Sequence, residues 1–315
     1  MGMTIRRERL LLLILLAAVV AVWWSAWGAV SGGLLVTVLD VGQGDSILVQ
    51  APGGKTMLIE GGGQRGQETS GYDVGKEVVV PALLNRGVKK IDVLVISHPH
   101  EDHIGGLGAV VDAVPVKMVL DPELDYPSSI YDQLRAEMRK RNIPVKRATE
   151  GQQINLGDGI HVDVLSPPQP RLTDTGSDVN NNSVVMRLTD GPLSMLLTGD
   201  IEQAGAFRIA RLGDALRSTV LKVPHHGSYG AAIPQFMNAV RPQFAAISVG
   251  AHNEYNHPSQ EMLDELKRVG AQVMRTDRDG AVTIKFRPPK WWAWGYGTGR
   301  KKGRTASGQV EGLRH

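Results

Sequence analysis

The 315-residue chain contains no cysteine. That excludes disulfides, thiolate metal sites and a cysteine nucleophile together, and leaves the redox compartment open. A basic body is also missing. The net charge is +3 and the pI near 9.1. Residues 1–9 carry three arginines and one glutamate, and residues 285–315 carry eight Lys/Arg and one glutamate, which leaves −6 for the region between them. Positive charge sits at the two ends, so charge alone shows no groove for nucleic acid. No solenoid period runs through the chain. Long apolar runs are scarce: one extends from Leu10 to Trp27, preceded by Arg6, Arg7 and Arg9 and closed by Trp23, Trp24 and Trp27. At 1.5 Å per residue it spans roughly 27 Å, close to a bilayer core. Arginines before and tryptophans after fit an inside-to-outside membrane anchor. A cleaved signal peptide ending near Ala29-Val30-Ser31 is the alternative. Either reading puts the body outside the cytoplasm, held at the cell membrane by a single span or secreted.

The chain divides into residues 1–33 (anchor or signal peptide and the linker Ser31-Gly32-Gly33), a body over 34–287, and a basic tail over 288–315. In the body, Leu34–Leu39, Ser46–Gln50 and Thr56–Ile59 read as strands, with a hairpin turn at Pro52-Gly53-Gly54. Val74–Asn85 reads as a helix stopped by Gly87, and Ser128–Arg141 is strongly helical. Strands follow at Val184–Leu188, Met195–Thr198, Val220–Val223, Phe244–Val249 and Gln272–Arg275, with helices over Glu202–Leu212, Ile233–Val240 and Ser259–Val269. Strand-rich and helix-alternating stretches in both halves imply two sheets packed face to face with helices outside. The tail, from Pro288-Pro289-Lys290-Trp291-Trp292-Ala293-Trp294 onward, lacks periodicity and reads as disordered. Its tryptophans and cations suit lipid headgroups or single-stranded nucleic acid, or a solvated segment with no partner.

The densest chemistry lies at His98-Pro99-His100-Glu101-Asp102-His103, directly after the apolar run Ile91–Ser97. Three imidazoles and a carboxylate at the carboxyl end of a strand form a metal-binding cluster. Nitrogen and carboxylate donors without thiolate suit zinc, manganese or iron. Further polar motifs follow in order: Asn180-Asn181-Asn182-Ser183, Leu197-Thr198-Gly199-Asp200, and Leu221-Lys222-Val223-Pro224-His225-His226-Gly227-Ser228. Leu39-Asp40-Val41-Gly42-Gln43-Gly44-Asp45-Ser46 precedes them all. Asp200 ends an apolar strand, where a carboxylate bridges two ions or caps the next helix. His225 and His226 diverge as neighbours, so one is read as a ligand and the other as facing substrate or donating a proton.

The pattern H-x-H-x-D-H resembles the first metal motif of the metallo-β-lactamase superfamily. The ordered set of motifs is similar to the hydrolase domain of ComEC-type DNA-uptake proteins and their stand-alone relatives, from about Leu34 to about Arg287. The resemblance implies an αββα four-layer sandwich, preceded here by one N-terminal apolar helix. It also implies two divalent ions, Zn²⁺ or Mn²⁺. His98, His100 and Asp200, with an Asn of the 180–182 run as a further candidate, would hold one, and Asp102, His103, Asp200 and one of His225 and His226, assigned to His225, the other. Asp102 and His226 are read as catalytic, and His226, His257 and Ser228 as substrate-binding. Asn181, Glu60 and Asp45 are further candidates as ligands or as supports behind them. An amide at the Asn motif, where many superfamily members carry histidine, would favour manganese over zinc. Two departures stand out. Glu60 occupies the position of a supporting Asp, and Ser259 follows His257-Pro258 where the branch has a second histidine.

The expectation is an extracytoplasmic metal-dependent hydrolase, a phosphodiesterase or nuclease acting on DNA through an activated water. A hydrolase for a small cell-surface phosphodiester or ester is the first alternative. A non-catalytic binding or assembly protein that keeps the fold is the second. Without further spans the chain cannot form a channel by itself, so it is expected to act with separate competence proteins.

Overall fold

The computed structural model describes residues 13–20, 32–63, 71–297 and 303–310. Its contacts divide the chain into Met1–Gly33 and Leu34–His315. In the first unit residues 13–20 are helical, and no helix among the described residues is long and apolar enough to cross a membrane. The remainder of the expected span Leu10–Trp27 lies outside the described residues.

The second unit is built on two sheets. Its first half supplies β1 (Leu34–Val38), β2 (Ile47–Gln50), β3 (Thr56–Ile59), β4 (Val93–Val95), β5 (Val119–Asp121) and β6 (Val145–Arg147). There follow β7 (Gln153–Gly157), β8 (Ile160–Ser166), β9 (Val185–Asp190), β10 (Leu193–Leu197), β11 (Val220–Lys222), β12 (Phe244–Ile247) and β13 (Gln272–Arg275). The chain then returns to the first sheet as β14 (Val282–Arg287), β15 (Lys290–Gly295) and β16 (Thr305–Gln309). The first sheet runs β16-β15-β14-β1-β2-β3-β4-β5-β6 and the second β13-β12-β11-β10-β9-β8-β7.

Strand periodicity explains the layering. In β8, Ile160, Val162 and Val164 are buried while alternate residues are half-exposed, as expected where one face meets a core. The inner faces meet in a cluster that includes Val36, Val49, Met57, Val95, Met186, Met195, Phe244 and Ile284. Outside the first sheet, Leu58 and Leu94 pack with Leu107, Val110, Leu134 and Met138 of the helical layer. Outside the second, Leu196 and Leu221 pack with Ile209, Phe236, Met262 and Leu266. The order helix, sheet, sheet, helix is the four-layer αββα sandwich. Local signals set the helices: Ser128 accepts from Tyr131 N and opens Ser129–Lys140, and Ser259 does the same from Met262 N for Gln260–Arg268.

The segment after Arg287 corrects the expectation of a disordered tail. β15 pairs with β14 from Lys290↔Arg287 to Gly295↔Val282, and β16 pairs with β15. Composition masked a two-residue period: Trp291 and Ala293 turn inward and are buried, and Trp291 donates from Nε1 to Gln243 Oε1 at 2.8 Å. The body therefore extends past residue 287. The expected helix over Val74–Asn85 is a π-helical turn, Gly75–Val79, continuing as Val80–Asn85.

Candidate metal centre

Strands β3, β4 and β5 are parallel, as are β10, β11 and β12. The segments leaving their carboxyl ends carry the polar motifs, where ligands collect in open α/β sheets. Glu60 follows β3, His98 to His103 follow β4, Asp200 follows β10, and His225 and His226 follow β11. The last two have left-handed backbones, φ 47° and 53°. Strain of that kind persists at sites the surrounding structure over-determines.

Four imidazoles converge on one oxygen. Asp200 Oδ2 lies 3.1 Å from His103 Nε2, 3.3 Å from His226 Nε2, 3.7 Å from His225 Nε2 and 3.9 Å from His98 Nε2. Asp102 Oδ2 is 3.4 Å from His226 Nε2 and 3.5 Å from His103 Nε2. His100 joins through Nδ1, 3.0 Å from His98 Nε2. Asp102, His103, Asp200 and His226 thus form one group of donors close enough for a single ion.

The fit to metal rests on what these atoms lack. Asp200 Oδ1 and His226 Nε2 are buried without a hydrogen-bond partner, a costly state that a cation between them would relieve. Nitrogen and carboxylate donors suit a borderline divalent ion. Asp102, His103, Asp200 and His226 would hold one ion, and His98 and His100 beside Asp200 a second.

Three of the imidazoles, those of His98, His103 and His226, are also held from behind. Ser97 Oγ donates to Glu60 Oε1 and lies 2.8 Å from His98 Nδ1. With its one proton committed to Glu60, Ser97 accepts from His98 Nδ1–H, which leaves Nε2 unprotonated, an acceptor facing His100 Nδ1. His103 Nδ1 sits 2.8 Å from the same Glu60 oxygen, a close but off-axis contact. His226 Nδ1 donates to Ser248 O at 3.0 Å, with Asp45 Oδ1 at 3.6 Å. One carboxylate, Glu60, therefore orients two candidate ligands, as partners behind metal-binding histidines do. Asp45 stands behind His226 and pairs with the fully buried Lys222 at 2.7 Å.

The electrostatics follow from this crowding. Burial works against charge on His103 and His226, but the carboxylates outweigh it. Asp200, Glu60 and Asp102 hold His103 well above its usual pKa, and Asp200, Asp102 and Asp45 raise His226 to about 10. His98 and His100 are pushed down by burial and by the charge on His103. Asp102 and Asp200 fall well below the carboxylate range because neighbouring imidazoles, His103 foremost, overcome their desolvation. His257 drops to about 4 through burial and the nearby His225 and His226.

A cavity of about 680 Å³ opens above the cluster, lined by Gln43, His100, Glu101, Asp102, Tyr126, Asn180, Asp200, His225, His226, Tyr255 and His257. Several sequence assignments change here. His226 completes the four-donor group, whereas His225 stands outside it with Nδ1 3.2 Å from Glu202 Oε1. Asn181 is not presented to the cluster: its Oδ1 accepts from Glu202 N and Gly205 N, capping the helix Gln203–Ala210. Asn180 reaches the cavity instead, donating to Glu202 Oε1 at 2.8 Å. Ser228 is buried and absent from the cavity wall. His257 is in the wall, its ring stacked on Tyr255 with centroids 5.6 Å apart. Sequence reading missed Ser97, Glu202, Tyr126, Tyr255 and Lys222. Only Lys222 left a signal, a lone cation in the apolar run Val220–Val223.

The profile of the Metallo-beta-lactamase superfamily matches residues 39–252. Over 260 residues the chain is 31% identical to ComE operon protein 3 of Bacillus subtilis (strain 168), a match covering 80% of this chain and 33% of that one. It is 31% identical over 250 residues to competence protein ComA of Neisseria gonorrhoeae, covering 78% and 31%. With recombination protein 2 of Haemophilus influenzae the identity is 30% over 252 residues, covering 80% and 29%. The chain belongs to the metallo-β-lactamase superfamily, as a domain similar to those of ComEC-type competence proteins. It spans about a third of the length of the curated relatives it matches.

Proposed function

We propose that this protein is a metal-dependent phosphodiesterase acting on DNA, and that its catalytic domain works outside the cytoplasm. The observation that carries the hydrolase reading is the convergence of four imidazole nitrogens on Asp200 Oδ2 while Asp200 Oδ1 stays unpartnered. When bound, a pair of divalent ions would supply an acidified water and neutralise charge on the leaving oxygen. Around it, Glu60, Ser97 and Ser248 fix the rings of His98, His103 and His226. Glu202 holds His225 over the cavity, and neutral His257 presents an imidazole able to take up a proton. The choice of DNA is supported by the competence and recombination relatives. The apolar run Leu10–Trp27 supports the extracytoplasmic placement, as anchor or cleaved leader.

A second reading is favoured by one observation: among the described residues the cavity wall contains no lysine or arginine, so no cationic side chain there grips a polymer backbone, and a small phosphodiester fits it better. The test sets linear and circular DNA beside bis(p-nitrophenyl) phosphate, with the full chain and added Mn²⁺ or Zn²⁺. Cleavage of DNA supports the nuclease reading; turnover of the small diester with intact DNA replaces it by the second.

A further inference from the structure

The cations absent from the cavity lie on a different face. The helical layer over the first sheet packs on β2 to β5, its apolar cluster ending at Ile143, and among the described residues that cluster takes in nothing from β14, β15 or β16. Strand alternation then decides what these three present. Val282, Ile284, Phe286, Trp291 and Ala293 point into the core. The opposite positions hold Thr283, buried against Thr37 of β1, and beyond it Lys285, Arg287, Lys290, Trp292 and Trp294, with Thr305 and Ser307 on β16. No carboxylate occupies an outward position of the three strands. Lys285 is directly opposite Trp292, and Trp292 opposite Ser307. An open groove of about 730 Å³ runs over this face, lined mainly by Lys285, Arg287, Trp292, Trp294, Thr305 and Ser307 and reaching Gln272 of β13 at its edge. Trp292 is 37% exposed.

We infer that the outer face of β14–β16 is a binding platform for single-stranded nucleic acid. Two indoles at alternate positions of one strand stand roughly 7 Å apart on the same face, so each is available to an unstacked base. The flanking cations match a phosphate backbone. Aromatic rings on an open sheet, edged by Lys and Arg, form the sequence-tolerant arrangement that stacks bases while tracking the backbone. A duplex hides its base faces and gains only the charge term. A lipid surface fits less well, because insertion needs an apolar face reaching below the headgroups, and here the indoles lie among Lys, Arg, Thr and Ser. β14 also pairs with β1, which leads into the loop carrying Gln43 at the cavity wall. Choosing nucleic acid deepens the DNA reading of the metal centre, but the face and its test are separable from that centre.

The experiment uses the full chain in mild detergent with excess chelator, so that binding is read without cleavage. The probe is a fluorescein-labelled oligodeoxythymidylate of about 20 nucleotides, longer than the ~4–16 that one such platform covers. Anisotropy should show binding that weakens between about 50 and 200 mM salt. Trp292→Ala/Trp294→Ala should lower affinity about tenfold or more. Lys285→Gln/Arg287→Gln/Lys290→Gln, confined to exposed or half-exposed positions that leave folding intact, should lower it too and flatten the log–log salt slope by about 2. Wild-type affinity in both variants, or no binding by the wild type, overturns the inference. So does variant-sensitive sedimentation with vesicles of four parts phosphatidylcholine to one part phosphatidylglycerol when the oligonucleotide is unaffected, which assigns the face to lipid. If the metal-loaded protein cleaves no DNA but the variants still lose the oligonucleotide, the nuclease reading fails and the platform stands. If DNA is cleaved while both variants bind as wild type, the platform fails alone.

Discussion

Replacing Glu60 with alanine isolates the support behind the metal centre from the centre itself. Glu60 Oε1 receives the Ser97 hydroxyl, which fixes the His98 ring, and lies 2.8 Å from His103 Nδ1. Removing one partner behind a metal ligand costs about 10–100-fold in affinity. Because Glu60 serves two imidazoles, Glu60→Ala is expected near a hundredfold, or about 2.8 kcal/mol of binding. Ser97→Ala disturbs His98 alone and is expected near tenfold, about 1.4 kcal/mol. Glu60→Asp keeps the charge one methylene further back and should fall between wild type and Glu60→Ala. The assay titrates chelator-stripped protein with Zn²⁺ against a competing fluorescent chelator, with circular dichroism confirming the fold. Unchanged affinity in Glu60→Ala, or a larger loss in Ser97→Ala, would refute the reasoning, since one carboxylate would then not be orienting both rings.

Gly44 has φ +127°, and a Cβ there would collide with the Asp102 carbonyl, so Gly44→Ala should displace Asp102 and abolish stable metal retention; elemental analysis of the folded variant checks it. Trp291 is fully buried, and Trp291→Ala should cost about 3–5 kcal/mol in denaturant unfolding; ending the chain at Arg287 should do at least as much damage, because it also strips β15 from β14. Metal-stripped protein should be most stable at roughly pH 6.5, because the depressed His98, His100 and His257 cost stability as pH falls below their unfolded value. The raised pKa of His226, about 10, stabilises fully below its unfolded value, and that contribution is lost as pH rises toward 10. The depressed Asp102 and Asp200 stabilise above their unfolded value and lose that contribution in acid. Thermal unfolding across pH measures this, and a stability maximum above pH 8 would contradict it. For the same reason metal binding should release protons, so apparent affinity should rise with pH.

The metal cluster was legible because its residues are consecutive: His98 to His103 declare donors at one strand end. Asp200, His225 and His226 were legible because each ends an apolar strand that could be read by its run. Relations across the fold were not. Glu60 looked like a longer substitute for a supporting Asp, but only the folded backbone shows it shared between His98 and His103. The Asn run offered three amides to one imagined ligand position, and its local turn decides the matter by using Asn181 as a helix cap and sending Asn180 into the cavity. Adjacent histidines cannot be ranked from spacing either; the left-handed turn at His225 and His226 sets which ring meets Asp102. The tail was misread because Gly, Lys and Arg dominate its composition, although Trp291, Ala293 and Gly295 already carried the alternation of a strand.

The most direct test of the central claim measures metal content and DNA cleavage together, on the full chain and its Asp102→Ala/Asp200→Ala variant. The account predicts two divalent ions per wild-type chain, with cleavage that stops on chelation and returns with Mn²⁺ or Zn²⁺. It predicts neither stable metal nor cleavage in the folded variant. Cleavage that survives chelation, or a variant that keeps both its ions and its activity, would contradict it.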